Sequence, residues 1–260
     1  MTATARAVWF DTHCHLHLCD TAPAGELVGR ARDAGVADVV TVGIDVGSSR
    51  AAVDIAERHG VYAAAGMHPN SATAWDDAAA EAIASLLVRA CVVAVGETGL
   101  DFYRDACPPD RQRAAFEDHV RLAQEHDKAL VIHTRASVDD ALEVLERVGP
   151  PARLVFHCWS GDRNALRRAL ALGAYVSFAG NLTFPSAADL RGVAAEVPPE
   201  RLVVETDSPY LGPVPRRGRP NEPANVEHVG RALAAAVAMP TEEVAALTTR
   251  NARRLFGVAP

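Results

Sequence analysis

The 260-residue chain predicts a closed (β/α)8 barrel, or TIM barrel, from two observations. Short runs rich in Val, Ile, Phe and Ala alternate with longer segments of helical period from one end of the chain to the other. Eight such repeats in about 250 residues match the usual length of this fold. An open, doubly wound sheet is the alternative, because a sequence pattern does not show closure. No linker interrupts the alternation, so a single domain over residues 1–260 is the simpler prediction.

The predicted strands are continuous apolar runs, as expected of parallel strands that are buried on both faces and joined by helical crossovers. They are Ala7–Phe10, Asp38–Ile44, Val61–Gly66, Val92–Gly96, Ala129–Ile132, Leu154–Phe156, Tyr175–Phe178 and Leu202–Glu205. Helices are predicted near 25–34, 48–59, 76–89, 110–126, 137–147, 162–172, 187–196 and 224–238, with an extra C-terminal helix near 241–255. The Pro/Gly/Arg-rich stretch Gly212–Pro223 is predicted to form a long loop after the last strand.

Composition and charge exclude several classes of protein. Lys128 is the single lysine among 26 basic residues, which excludes a Schiff-base lysine, a P-loop lysine or a carboxylated lysine between two metals elsewhere in the chain. The net charge of -7 disfavours nucleic-acid coating by overall attraction but allows a local basic patch. The sequence lacks a membrane-length apolar run and a signal peptide, so we expect a cytoplasmic protein without a membrane partner or an obligate protein partner.

Side chains that commonly ligate metals recur at the carboxyl ends of the predicted strands, where TIM barrels carry their chemistry. His13 and His15 end the first strand, and their spacing on an extended chain directs both imidazoles to the same side. A His-x-His pair alone is a weak signal, with a surface histidine cluster as its alternative. Four further strand ends offer Glu97, His133, His157 and Asp207. Coincidence at five strand ends is implausible, so these six residues are predicted metal ligands.

Four imidazoles and two carboxylates can hold two divalent ions, with Glu97 as the bridge because the fourth strand carries no lysine. Two such ions clamp the attacking and leaving oxygens of an ester during hydrolysis. Asp207 is predicted to bind one ion and to act as general base towards a metal-bound water, although Asp-Ser-Pro-Tyr is also a turn sequence. Mixed His and carboxylate sites accept Mg²⁺, Mn²⁺ or Zn²⁺, so the sequence leaves the metal open.

Four residues near the strand ends are candidate substrate contacts. His68 follows the third strand, where a substrate contact and a structural hydrogen bond are equally compatible with the sequence. Arg104 and Arg135 follow the fourth and fifth strands and have the guanidinium geometry that suits phosphate. Tyr210 follows the eighth strand and could stack on a base. Further candidates of the same types are Arg163, Arg216, Arg217, Arg219, Phe102, Tyr103 and Trp159, with solvated or packing roles as the alternative.

Nine segments occur in an order and spacing that are similar to a known family: DTHCHL, GMHPN, VGETGLDFYR, QRAAFEDHV, VIHTRAS, FHCWSG, FAGNLTF, VVETDSPYLGPVPRRGRPNEP and NARRLF. Over essentially its full length the chain resembles the TatD family of metal-dependent deoxyribonucleases, among the amidohydrolase-like barrels. The resemblance implies hydrolysis of phosphodiester bonds in DNA, the same six metal ligands and Asp207 as catalytic base. His119 departs from the family pattern, which usually has Gln there, and the change could affect packing or a substrate contact.

The leading hypothesis is therefore a metal-dependent exonuclease acting on single-stranded DNA or DNA ends, because duplex DNA does not easily enter a barrel mouth. Asp207 and Glu97 are its predicted catalytic residues. The alternative keeps the barrel and the metals but hydrolyses a carboxyl ester or amide, such as an aminoacyl-tRNA ester. A non-catalytic binding protein is disfavoured, because the candidate ligands are intact at all five strand ends.

Overall fold

The computed structural model describes residues 7–104 and 106–259, which contain eight parallel strands. The strands follow one another around the sheet in chain order, from β1 to β8. They are β1 (Trp9–Cys14), β2 (Val36–Val42), β3 (Tyr62–Ala65), β4 (Val92–Asp101), β5 (Ala129–Arg135), β6 (Leu154–Phe156), β7 (Tyr175–Phe178) and β8 (Leu202–Val204). The predicted (β/α)8 barrel is confirmed.

Helices alternate with these strands and cover the outside of the barrel. They are α1 (Ala24–Asp33), α2 (Val46–His59), α3 (Asp77–Leu87), α4 (Pro109–Glu125), α5 (Val138–Val148), α6 (Arg163–Ala171), α7 (Ala188–Ala194), α8 (Val226–Ala236) and α9 (Thr241–Phe256). The start of α2 shows how the sequence sets a boundary: Asp45 accepts the Ser48 N–H at 2.7 Å, and the Ser48 hydroxyl group caps Asp45 N–H in return. Within the described chain, no helix has the length and apolar character needed to cross a membrane.

Apolar side chains fill the barrel interior and seal its N-terminal end. The interior cluster includes Phe10, Val40, Val42, Ala64, Val93, Val131, Val155 and Val203. Leu255 and Phe256 of α9 join this cluster, and the ring centroids of Phe256 and Phe10 lie 5.8 Å apart. The predicted C-terminal helix therefore closes the bottom of the barrel, and the polar residues gather at the opposite, carboxyl end.

The fourth strand is longer than its apolar run predicts. β4 continues past Gly96 to Asp101, and its register against β5 shifts between Val95 and Thr98. The apolar pattern ends early because the added residues include Glu97 and Thr98, which are polar yet buried. Glu97 thus lies on an irregular stretch of strand, inside the barrel mouth.

β1 and β8 meet with few backbone hydrogen bonds. Cys14 and Ser208 form an isolated parallel bridge, and His15 N–H donates to Ser208 O at 2.7 Å. Asp207 N–H donates to His13 O at 2.9 Å. We call this junction the seam, and it connects the segments that carry His13, His15 and Asp207.

Lys128 lies just before β5, at the end of the barrel opposite these residues. Its side chain is half-buried, and its Nζ donates to Val92 O at 2.6 Å. The ammonium group thereby binds a backbone carbonyl at the start of β4.

Candidate metal centre

The six predicted ligands converge at the carboxyl end of the barrel. β1 supplies His13, β4 supplies Glu97 and β5 supplies His133, whereas His15, His157 and Asp207 come from the segments after β1, β6 and β8. Five of the six are buried and His133 is partly exposed. The structure brings all six together, and their role as metal ligands stays a prediction.

One oxygen of Glu97 faces His13 and His15, at the end of β1 and just after it. Glu97 Oε2 lies 3.4 Å from His13 Nε2 and 3.6 Å from His15 Nε2, and these two nitrogens are 3.2 Å apart. Asp207 Oδ1 lies 3.8 and 3.6 Å from the same nitrogens. Ligands in a tetrahedron with metal bonds near 2.1 Å are about 3.4 Å apart. The spacing of these atoms therefore suits one divalent ion.

The other oxygen of Glu97 faces a second pair of histidines. Glu97 Oε1 lies 2.7 Å from His133 Nδ1 and 2.8 Å from His157 Nε2. The two nitrogens are 3.2 Å apart. Because each carboxylate oxygen contacts a separate pair of imidazoles, Glu97 has the geometry of a bridge between two cation sites.

The chemistry of the donor atoms also fits cations. Two imidazole nitrogens 3.2 Å apart can share a single proton, whereas a cation between them satisfies both lone pairs. Burial lowers the pKa of His13, and His157 lowers it further. Burial alone would raise the pKa of Glu97, but the neighbouring imidazoles hold it well below its usual range. For His13 and Glu97, a neutral imidazole beside an ionised carboxylate is the protonation state that metal binding requires. Burial opposes charge on His15, His133 and His157, but neighbouring carboxylates raise their pKa values, so these imidazoles would release protons when a metal binds.

Glu205 lies behind His157 and is fully buried. Its Oε1 is 3.1 Å from His157 Nδ1, and its Oε2 accepts the Ser177 hydroxyl hydrogen bond at 2.6 Å. Burial opposes charge on His157, but Glu97 and Glu205 raise its pKa well above the usual value. A carboxylate in this position fixes the orientation of a ligating imidazole. The sequence pattern assigns no role to Glu205. The feature of the sequence that could have indicated one is its position two residues before Asp207.

Asp11 spans the seam and is fully buried. Its Oδ1 accepts Thr206 N–H at 2.8 Å, and its Oδ2 accepts the Thr206 hydroxyl hydrogen bond at 2.6 Å. Burial raises the pKa of Asp11 to about 8, against the opposite effect of these hydrogen bonds. Asp11 thereby ties β1, which carries His13, to the segment that carries Asp207, a role that the sequence pattern does not reveal.

Asp101 ends β4 and organises the residues beside it. Its Oδ1 accepts the N–H groups of Tyr103 and Arg104, both at 3.0 Å. Its Oδ2 lies 3.5 Å from His133 Nε2. Asp101 therefore contacts a predicted ligand and also holds the loop that carries a predicted substrate contact, and the sequence pattern does not single it out.

His68 lies beside Glu97 and His133 in the metal centre, and its ring proton is on Nε2. Its Nε2 is 3.7 Å from Glu97 Oε1, and its ring centroid is 4.4 Å from that of His133. His68 Nδ1 accepts Asn70 N–H at 3.1 Å, which places the imidazole proton on Nε2. Burial lowers the pKa of His68 to about 4, so the ring is neutral at neutral pH. The role of His68 as a substrate contact stays a prediction.

The other predicted substrate contacts lie on the exposed rim. The Arg135 guanidinium lies 3.8 Å from the centroid of the Tyr103 ring, and Tyr103 is 68% exposed. Tyr210 is 52% exposed, and its ring centroid lies 5.9 Å from that of His15. Arg104 is exposed and lies within electrostatic range of the Tyr210 hydroxyl group.

Several further candidates pack or pair elsewhere. Trp159 is fully buried and its Nε1–H donates to Gly161 O at 2.8 Å, so it is unavailable to stack on a base. Arg163 forms an ion pair with Glu196. Trp159 therefore has the packing role, and Arg163 is exposed to solvent and paired with Glu196.

Comparisons with known proteins agree with this architecture. A family model described as TatD related DNase matches residues 10–257. The chain belongs to the TatD family. The uncharacterized metal-dependent hydrolase TatD of Mycobacterium tuberculosis is 43% identical over 257 residues, which cover 95% of this chain and 97% of that protein. The resemblance found in the sequence is thus confirmed, and this TatD family member is a metal-dependent hydrolase.

Two further TatD relatives extend the comparison. The 3'-5' ssDNA/RNA exonuclease TatD of Klebsiella pneumoniae is 36% identical over 243 residues, which cover 90% of this chain and 91% of that protein. The crystal structure of YJJV, a TatD homologue from Escherichia coli K12, superposes with a TM-score of 0.90 at 30% identity and covers 96% of this chain and 98% of its own.

Proposed function

We propose that this TatD family member is an exonuclease that releases nucleotides from single-stranded DNA or DNA ends, using two divalent ions. The observation that carries the proposal is Glu97, whose two carboxylate oxygens each contact a separate pair of imidazoles. Two neighbouring ions suit the attacking and leaving oxygens of a phosphodiester. The name of the Klebsiella pneumoniae relative supports the same substrate class.

Bound divalent ions would supply Lewis acidity and make a water molecule a stronger nucleophile at neutral pH. Asp207 is the proposed base that accepts the proton of this water. Burial raises the pKa of Asp207, but the neighbouring imidazoles, His15 first, lower it below its usual value and keep the carboxylate ionised. His68 is proposed to donate from Nε2 to a phosphate oxygen, where charge develops during attack.

The rim supports a single strand as substrate. β4 and β8 lie on opposite sides of a ring of eight strands, so Tyr103 and Tyr210 flank the mouth. Exposed rings can stack on unpaired bases, and Arg104 and Arg135 beside them can bind phosphates. Bases in a duplex already stack on each other, so a frayed end or single strand would use these rings best.

Metal-stripped protein reloaded with Mg²⁺, Mn²⁺ or Zn²⁺ would test the proposal on end-labelled single-stranded DNA and on its duplex. We expect metal-dependent nucleotide release, faster from the single strand. Glu97→Gln should lose bound metal and at least about a thousand-fold in rate, because one carboxylate would serve both ions. Asp207→Asn should lose roughly a hundred-fold or more, as expected for a general base.

Glu146→Gln provides a matched control, because Glu146 pairs with Arg168 on the outer helices. Its metal content and rate should equal those of the unaltered protein. Parallel assays with bis(p-nitrophenyl) phosphate and an acyl ester would distinguish the alternative activity. Release that is unchanged by Glu97→Gln and Asp207→Asn, or a marked preference for the acyl ester, would refute the proposal.

A further inference from the structure

His119 of α4 is fully buried, and both of its ring nitrogens have defined partners. Nδ1 lies 2.6 Å from Ala115 O, and Nε2 accepts Met67 N–H at 3.0 Å. The first contact requires the proton on Nδ1, which leaves the lone pair of Nε2 for Met67. The ring also packs against Trp75, with centroids 4.1 Å apart. His119 is thus fixed in one tautomer and one orientation.

Met67 directly precedes His68, and other contacts also hold the surrounding backbone. His68 N–H donates to Ile44 O at 2.9 Å. Gly66 packs so closely on Gly96 that a Cβ on Gly66 would lie 2.7 Å from Gly96 Cα. Its backbone is therefore in contact with the residue that precedes Glu97. Ser49 Oγ also accepts Gly66 N–H at 3.1 Å and donates to Gly66 O at 3.2 Å. His119 adds an attachment from α4, at Met67 itself.

We propose that His119 is a positioning residue that holds the Met67 backbone so that His68 Nε2–H stays directed at the metal centre. The effect on catalysis rests on the proposed function, in which His68 donates to substrate. The effect on the orientation of His68 does not rest on the proposed function, because His119 bonds Met67, the residue before His68, in the absence of substrate.

Two substitutions separate positioning from simple packing. His119→Leu fills similar space but leaves Met67 N–H buried without an acceptor, which forces the backbone to move or to lose a hydrogen bond. His119→Gln retains an acceptor, because its amide oxygen can reach the same N–H group. A packing role predicts similar behaviour of the two variants, whereas a positioning role predicts that glutamine replaces histidine and leucine does not.

The first measurement is the ¹⁵N and ¹H NMR spectrum of the His68 imidazole in metal-stripped protein. The unaltered protein and His119→Gln should both show His68 protonated on Nε2, and His119→Leu should change this signature. The second is DNA hydrolysis by the metal-loaded proteins, in which His119→Leu should lower kcat roughly ten-fold to a hundred-fold with a smaller change in KM. His119→Gln should stay within about three-fold of the unaltered protein, since its acceptor is retained.

A double substitution tests the route of the effect. If His119 acts through His68, His119→Leu should cost little further activity in a His68→Ala background. Full additivity, or an unchanged His68 spectrum in His119→Leu, would overturn the proposal. Loss of activity in a His119→Gln protein that melts like the unaltered protein would also overturn it. If His68 responds as expected while no variant hydrolyses DNA, the positioning role stands and the proposed function fails.

Discussion

The two sides of the metal centre are held in place by different interactions. β4 and β5 pair from Ala94 opposite Ala129 to Asp101 opposite Arg135, with a register shift between Val95 and Thr98 where Glu97 lies. At the seam, an isolated bridge and the backbone hydrogen bonds of His15 and Asp207 join the two segments, and the Asp11 carboxylate adds hydrogen bonds to Thr206. A long backbone ladder therefore joins one half of the centre, whereas a short backbone contact reinforced by side-chain hydrogen bonds joins the other. Substitution of a residue that supports the ligands should therefore lower metal affinity more strongly at the seam than at the ladder.

Asp11→Ala should produce the largest of these indirect effects. It leaves the buried Thr206 N–H without its acceptor, while the Thr206 hydroxyl group keeps Ser208 Oγ at 3.0 Å, which costs about 1–3 kcal/mol of unfolding free energy. Because the seam also sets the distance from His13 to Asp207, metal affinity should fall about ten-fold to a hundred-fold. Denaturant unfolding of the stripped protein and metal titration would measure the two effects.

The matched control on the ladder side is Ser137→Ala. Ser137 Oγ is buried and donates to Leu100 O at 2.7 Å, so its removal also breaks a hydrogen bond between neighbouring segments. We expect about 1 kcal/mol of destabilisation and unchanged metal affinity, because the backbone pairs on both sides of Glu97 and the pair of His133 with Gly99 remain. Equal losses of metal affinity in the two variants would remove the distinction between seam and ladder.

This distinction also explains which parts of the centre the sequence predicts. Apolar runs and helical periods are local patterns, and the rule that barrel chemistry follows the strands places His13, Glu97 and Asp207 together. The role of Asp11 depends on Thr206, which is 195 residues away in the chain. That of Glu205 similarly depends on His157. Such supporting residues have no sequence period, so they emerge once the strands are placed around the barrel.

The two exposed tyrosines offer a smaller test of the same two sides. On the ladder side, Arg135 covers one face of the Tyr103 ring. On the seam side, the Tyr210 ring contacts the His15 ring edge to face. Each alanine substitution should weaken binding of single-stranded DNA by about 1–3 kcal/mol, since base stacking is lost. Tyr103→Ala should raise KM alone, whereas Tyr210→Ala should also lower kcat because Tyr210 contacts a predicted ligand.

Phenylalanine at either position retains the ring and serves as the control. Steady-state kinetics on a short single strand would measure KM and kcat for all four variants. If Tyr103→Phe loses as much as Tyr103→Ala, the hydroxyl group rather than stacking would account for the effect. Equal kcat values for the two alanine variants would contradict the inferred difference between the sides.

A further effect, confined to acid pH, concerns the buried imidazole of His119. Burial lowers the pKa of His119 from 6.5 to about 4, against the weaker effects of the Ala115 carbonyl and the Asp118 charge. Between these two values the unfolded chain binds a proton at His119 and the folded chain does not. Folding stability at this residue is therefore complete above about pH 6.5 and falls as the pH decreases towards 4.

At about pH 5 this proton should cost the folded state about 2 kcal/mol relative to neutral pH. His119→Gln lacks the titrating group, so its unfolding free energy should gain that amount relative to the unaltered protein over the same interval. Urea unfolding of both stripped proteins would measure the difference, in which the shared titration of the other histidines cancels. A difference that stays constant with pH would show that His119 binds its proton equally in the folded and unfolded chains, which would contradict the lowered pKa.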